Sequence, residues 1–139
     1  VDDNGILYLE SNYTGRKINQ YGIKLTSQNL SVATDTLNRK GVFNSFNDGS
    51  SYYESLTFEN KDENGLLNFI ISNINHPVKV TLLGDKNVSY LLSDVDKKAI
   101  AATNEFWTVK RDVVKLEKDI LKAQVKIGNI KLRYSIQTH

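Results

Sequence analysis

The chain has 139 residues, a formal net charge of +2, 40% hydrophobic and 24% charged residues, and no cysteine. This length fits one domain, and the near balance of charge excludes nucleic-acid or membrane binding driven by bulk electrostatics. Without cysteine there are no disulfides, thiolate metal sites or cysteine nucleophiles, so stability must come from core burial or assembly. No apolar stretch approaches the roughly 20 residues that span a bilayer, so no membrane insertion is expected.

Residues 1–92 are predicted to form a β-rich domain. Apolar residues alternate with a period of two, most clearly at 52–58 and 78–82. The nearly continuous apolar run at 66–74 is typical of a strand buried on both faces. Turn-forming Gly, Asn and Asp residues separate these runs at 47–50, 62–65 and 84–87. Such punctuation favours antiparallel strands, as in a β-sandwich, over βαβ units.

Residues 93–124 are predicted to form one long amphipathic helix. Ser93, with Asp96 three residues later, resembles a capping box, and neither Gly nor Pro interrupts the chain before Ile127. Apolar residues then recur at alternating spacings of 3 and 4, which favours helices that wind around each other. The predicted oligomerisation seam consists of Phe106, Val109, Val113, Leu116, Ile120 and Ala123.

Residues 125–139 fit two structures. The spacing of 3 and 4 continues to Ile130 and Tyr134, but Gly128-Asn129 is a poor helix interior. The apolar residues around that pair also fit strands, and we expect the helix to end near Gln124 and a C-terminal strand to follow. The predicted fold class is therefore α+β, mostly β with one long helix, all in one structural unit.

Few side chains have the chemistry of an active site. His76 precedes the only proline and is expected in a turn, and His139 is the last residue. The acidic runs at 62–65 and 94–96 lack the calcium-loop pattern, and neither a phosphate-binding glycine loop nor a nucleophile elbow occurs. We expect no enzymatic activity, no structural metal and no cofactor.

Two acids and several aromatic side chains have chemistry that carbohydrate-binding or carbohydrate-cleaving sites use. Glu54 and Glu59 are the acids of the strongest strand, but at five positions apart they fall on opposite faces and do not make a glycosidase pair. Exposed tyrosines and Trp107 have the chemistry to stack on a sugar, although strand and interface preferences explain them equally well.

The segment 107–139 carries eight Lys and Arg residues against three acids. Interleaved acids are typical of a solvated helix exterior with i,i+4 pairing, so no nucleic-acid partner is expected.

Two functional hypotheses follow. In the first, the protein is a non-enzymatic assembly module that self-associates through the helix as a homo-oligomer, expected to be a trimer, and binds other structural proteins. A small β domain followed by such a helix resembles parts of phage tail fibres, baseplate proteins and other virion or surface appendages, in architecture alone. That resemblance implies a location in a virion or at a cell surface. In the alternative, a monomeric β-sandwich or barrel binds a carbohydrate or other small ligand, and the same helix positions serve as core.

Overall fold

A computed structural model of the protein describes the backbone of residues 1–137 and the side chains of residues 1–124. Within that backbone, the elements in chain order are β1 (Tyr8–Gly15), β2 (Gly22–Ser27), β3 (Leu30–Ala33), β4 (Val42–Asn47), β5 (Tyr52–Glu59), α1 (Leu66–Ser72), β6 (Lys79–Leu83), β7 (Val88–Leu91) and α2 (Asp94–Gln137). A short 3₁₀ turn, Asn60–Glu63, precedes α1. The strands form one three-stranded and one four-stranded antiparallel sheet.

The three-stranded sheet has the order β1–β5–β4. β5 contains the predicted run 52–58, and its alternation places Glu54, Leu56 and Phe58 in the interior. The turn predicted at 47–50 joins β4 to β5. β4 itself is an edge strand that is exposed along its whole length.

The four-stranded sheet has the order β3–β2–β6–β7. β6 contains most of the predicted run 78–82 and pairs with β2 on one side and β7 on the other, as expected of a central strand. The connection from β2 to β3 is Gln28-Asn29, with φ angles of 51° and 64°. Two positive φ angles are typical of the tight two-residue hairpin turn.

The core lies between the two sheets and α1. Each of β2, β5 and β6 contributes alternate side chains to it, and α1 closes one side. Its buried members are Ile18, Ile23, Leu25, Leu56, Phe58, Leu66, Ile70, Val78, Val80 and Leu82. The α+β class, with two antiparallel sheets and one long helix, is confirmed.

The run at 66–74 is a helix and a turn, so the prediction of a doubly buried strand was wrong. The carboxylate of Glu63 accepts hydrogen bonds from the backbone N–H groups of Gly65 at 3.0 Å and Leu67 at 2.7 Å. These bonds satisfy donors that the first turn of α1 leaves free. A short apolar run fits a strand or a helix equally, and the Glu63 cap is the signal that distinguishes them here.

α2 begins as predicted. The N–H of Asp96 donates to the Oγ of Ser93 at 3.1 Å. The sequence predicted that the helix ends near Gln124 and that a strand follows at 125–139. Both predictions were wrong for residues 125–137, because α2 continues to Gln137. A glycine inside a helix costs about 1 kcal/mol, which is too little to end a helix in which the spacing of 3 and 4 persists. Residues 138 and 139 lie outside the described chain.

Candidate functional site

The two sheets with the core between them form a sandwich, and the first turns of α2 are anchored to it. Lys97 is buried, and its Nζ donates to the carbonyl oxygen of His76 at 2.9 Å and pairs with Asp94 at 3.1 Å. An unpaired charge in such a position would be costly. The bond to His76 therefore holds α2 against the turn between α1 and β6, and the pair with Asp94 within α2 balances the buried charge.

A second anchor lies further along α2. The Nε1–H of Trp107 donates to the carbonyl oxygen of Gly5 at 2.9 Å, and the Arg111 guanidinium lies 4.8 Å from the centre of the Trp107 ring. A Cβ added to Gly5 would lie 3.6 Å from the Cα of Arg111 and 3.7 Å from a methyl of Val114. The N-terminal segment thus packs directly on the helix. The body-facing stripe of α2 is Ile100, Trp107, Arg111 and Val114.

The predicted seam lies on the opposite side of α2. Val109, Val113 and Leu116 each follow a member of the body-facing stripe by two residues, and two residues turn an α-helix by about 200°. The first five seam side chains are 42–62% exposed and the last is also exposed. These six are Phe106, Val109, Val113, Leu116, Ile120 and Ala123. No described residue of the protein covers them, so the seam is an unpartnered apolar surface.

Beyond Val114, α2 has no packing partner within the described side chains. Every residue of 115–124 is exposed. At about 1.5 Å per residue, the exposed stretch 115–124 extends the helix by about 15 Å. The described part of α2 therefore passes from an anchored segment into one that solvent surrounds.

Glu54 and Glu59 occupy opposite faces of β5, as predicted. Glu54 is buried, and its carboxylate accepts the backbone N–H groups of Ile18 at 2.7 Å, Asn19 at 3.0 Å and Gln20 at 2.8 Å. Glu59 is exposed. Glu54 ties the three-stranded sheet to the segment that enters β2. Sequence reasoning missed this role because its partners are backbone groups 34 to 36 positions away.

The other candidate side chains serve local structure. His76 lies exposed in a turn, where its N–H donates to the Asn73 carbonyl oxygen. In the acidic runs, Glu63 caps the first turn of α1 and Asp94 pairs with Lys97 within α2. Within the described residues, no group of three or more His, Cys, Asp or Glu side chains could hold a metal ion. His139 lies outside the described residues.

The basic character of 107–139 follows the solvent side of α2 as far as side chains are described. Lys115, Lys118 and Lys122 are exposed, with Glu117 and Asp119 between them. None of the described helices has the length and apolar composition needed to cross a membrane.

Comparison with known proteins does not extend the description of the site. No protein-family model, curated protein or solved structure matches this chain.

Proposed function

We propose that the protein is a non-enzymatic assembly module whose copies associate through the seam of α2. The observation that carries the proposal is the position of the seam. Six apolar residues at coiled-coil spacing lie on the face of α2 turned away from the sandwich, and none is covered by the described chain. Removing a Leu or Ile side chain from water contributes about 1.5–3 kcal/mol, so association would bury a surface that the single chain leaves exposed.

The charges that flank the seam favour a parallel arrangement. With Phe106 at heptad position a, the g positions are Glu105, Asp112 and Asp119. Antiparallel coils pair g with g, which would bring these acids together, whereas parallel coils pair g with e. The e position after Glu105 is Lys110, an attractive partner, and the one after Asp112 is Glu117, a repulsive partner. A parallel coil therefore has one repulsive pair, whereas an antiparallel coil brings these acids against one another.

A parallel coil also leaves room for the sandwich. Because the body-facing stripe lies about 200° from the seam, each copy would carry its sandwich on the outside of the coil. Val113 and Ile120 at position a with Leu116 at d is a combination typical of two strands, whereas the sequence-based expectation is a trimer. The seam is compatible with a dimer and with a trimer.

The biological setting is part of the proposal. A β-sandwich carried on a self-associating helix is the layout that resembles parts of phage tails and other surface appendages. We infer that other structural proteins of such an assembly are its further partners, in a virion or at a cell surface. The support is architectural, and it lies in the free edge strand β4 and the long α2.

Leu116→Asp tests the association, with Leu121→Asp as its matched control. The two leucines are 60% and 62% exposed in the single chain, but only Leu116 belongs to the seam. Light scattering with size-exclusion chromatography should show an oligomer for the wild type and Leu121→Asp, and a folded monomer for Leu116→Asp. A wild type that stays monomeric at all concentrations contradicts the proposal, as does equal loss of association in both variants.

Glu117→Lys tests the parallel orientation. In a parallel coil, Asp112 at g faces Glu117 at e of the neighbouring helix, a repulsive pair that the substitution makes attractive. Sedimentation equilibrium should therefore show tighter association of Glu117→Lys than of the wild type. Lys118→Glu at the outward f position is the control and should leave association nearly unchanged. Weaker association of Glu117→Lys would contradict a parallel coil.

A further inference from the structure

The outer face of the three-stranded sheet carries a cavity of about 400 Å³. Antiparallel register places two outward rows of side chains beside it. The amide row consists of two amides with a hydroxyl between them, Asn12, Ser55 and Asn44, across β1, β5 and β4. The aromatic row consists of Thr14, Tyr53 and Phe46 across the same strands. Successive rows on one face of a sheet are about 7 Å apart, so the cavity is a trough with amides on one side and aromatic rings on the other.

The lining shows that the trough faces outward. Tyr13, Glu54 and Ser45 form the row between the other two, and the buried Glu54 shows that this row points to the core side. A cavity on the core side would also be lined by the next inward row, Ser11, Leu56 and Phe43, which takes no part in it. The middle row therefore contributes backbone to the floor of the trough.

The two rows combine stacking surfaces with free hydrogen-bonding groups. The rings of Phe46 and Tyr53 stack with centroids 5.9 Å apart and planes at 30°. Both rings are exposed, Phe46 by 63% and Tyr53 by 37%. The side chains of Asn12, Asn44 and Ser55 make no hydrogen bond to any other described residue. Each carries both donor and acceptor capacity.

The aromatic row is held in place from one end. The Tyr53 hydroxyl donates to Asp48 Oδ2 at 3.3 Å. The backbone N–H groups of Ser51 and Ser50 lower the pKa of Asp48 to about 2, so this acceptor stays ionised under ordinary conditions. Because the ring and its anchor belong to one hairpin, the stacking surface is formed before any ligand arrives.

We propose that this trough binds a neutral oligosaccharide. Hydroxyl groups both donate and accept, as do amide and hydroxyl side chains, and the C–H face of a pyranose ring packs on aromatic rings. Neither outward row contains a charged side chain, which favours an uncharged ligand over phosphate, sulfate or uronic acid. A volume near 400 Å³ lies within the range of small-ligand sites and fits one to two sugar rings.

The site does not depend on association through α2, but its avidity does. Copies that associate would present several troughs on one particle, and linked sites bind a polyvalent surface far more tightly than one site alone. A single trough of this shallow kind should bind weakly in solution.

Titration of the full-length protein tests the site. The probes are the neutral hexasaccharides of glucose, mannose, galactose and N-acetylglucosamine, with a heparin hexasaccharide as the charged probe. Amide chemical shifts in ¹⁵N NMR spectra report both affinity and place. At least one neutral probe should bind at millimolar concentrations or below and shift amides of β1, β4 and β5, and the heparin probe should not.

Two substitutions sharpen the result. Phe46→Ala removes half of the stacking surface and should weaken binding at least fivefold. Val42→Ala, on the same strand and the same outer face but outside the trough, should leave binding unchanged. Since both positions are more than 60% exposed, neither variant should lose its fold, and the NMR spectrum confirms that directly.

Leu116→Asp separates this proposal from that of assembly. It should keep the solution affinity of the wild type while losing retention on a surface coated with the same oligosaccharide. No binding to any neutral probe, binding to heparin alone, or equal affinity of Phe46→Ala and wild type would overturn the oligosaccharide site. A monomeric wild type that binds as described would overturn assembly alone.

Discussion

The sandwich core and the seam of α2 are built from the same kinds of residue and end in opposite environments. Phe58 in the core is 1% exposed and Phe106 in the seam is 58% exposed. The core is covered because β5 in one sheet lies opposite β2 and β6 in the other, and these strands come from distant parts of the chain. Seam residues follow one another along a single helix, and one helix cannot cover its own stripe. Apolar patterning therefore specifies what should be buried, while topology decides whether the chain can bury it alone.

The core is also closed by polar contacts that the seam lacks. Glu54 satisfies three backbone N–H groups between the sheets, and Lys97 ties α2 to the turn before β6. Buried polar groups with partners fix one arrangement of the elements around them. The described side chains of the seam have no such contact, and in the proposed assembly a second helix would complete its geometry.

The largest expected difference between the sandwich core and the seam comes from replacing a phenylalanine by alanine in each. Phe58→Ala should reduce the free energy of unfolding by about 3–5 kcal/mol because it leaves a cavity in the core. Phe106→Ala should change the stability of the monomeric Leu116→Asp background by no more than about 0.5 kcal/mol, as for other surface positions. Urea denaturation followed by circular dichroism measures both values.

Similar losses in the two variants would contradict the comparison. They would mean that Phe106 packs against the sandwich in solution. A large loss for Phe106→Ala in the associated wild type, with none in the monomeric background, would instead strengthen the assignment of Phe106 to the seam.

Much of the sandwich was accessible from the sequence, because period-two alternation is a direct consequence of one buried strand face. The run 52–58 and the Ser93 cap were both predicted and found. The run 66–74 was misassigned because a short, doubly buried strand and a short helix look alike. The C-terminal strand was misassigned because Gly128-Asn129 was given more weight than the continued spacing of 3 and 4.

The candidate sites were accessible only in part. The members of the seam follow from spacing, but their exposure depends on which face of α2 meets Gly5, and that contact spans 102 positions. The trough required the register of three strands, one of which, β4, was not identified. Its lining residues come from three separate segments, and no local pattern brings Asn12 next to Asn44.

Glu54→Gln tests whether the core depends on its polar contacts. The amide nitrogen of glutamine cannot accept a hydrogen bond, so at least one N–H among Ile18, Asn19 and Gln20 would be left without a partner. An unsatisfied buried group costs about 1–3 kcal/mol, and the free energy of unfolding should fall by that amount. Glu59→Gln, on the exposed face of β5, is the control and should have almost no effect. Equal results would show that Glu54 does not fasten the sheets.

Trp107→Phe tests the contact that fastens α2 to the N-terminal segment. It removes the hydrogen bond to the Gly5 carbonyl oxygen and should cost about 0.5–1.5 kcal/mol. Hydrogen exchange should accelerate at residues 5–7 while the amides of β2 and β6 stay protected. If exchange in the N-terminal segment were unchanged, Trp107 would not be the group that anchors it.

The smallest effect concerns Asp48, which belongs neither to the sandwich core nor to the seam. Hydrogen bonds from the N–H groups of Ser51 and Ser50 lower its pKa from 3.8 to about 2. A carboxyl whose pKa is lower in the folded state contributes its full stabilisation above pH 3.8, and loses that stabilisation as the pH falls through about 2. Because Asp48 is fully exposed, the hairpin turn should respond and the core should not. The amide shifts of Ser50 and Ser51 should titrate with a midpoint near 2 in NMR spectra and should stop doing so in Asp48→Asn. A midpoint at the ordinary value would show that the turn does not hold the ionised carboxylate, and the Tyr53 ring would then lack its fixed anchor.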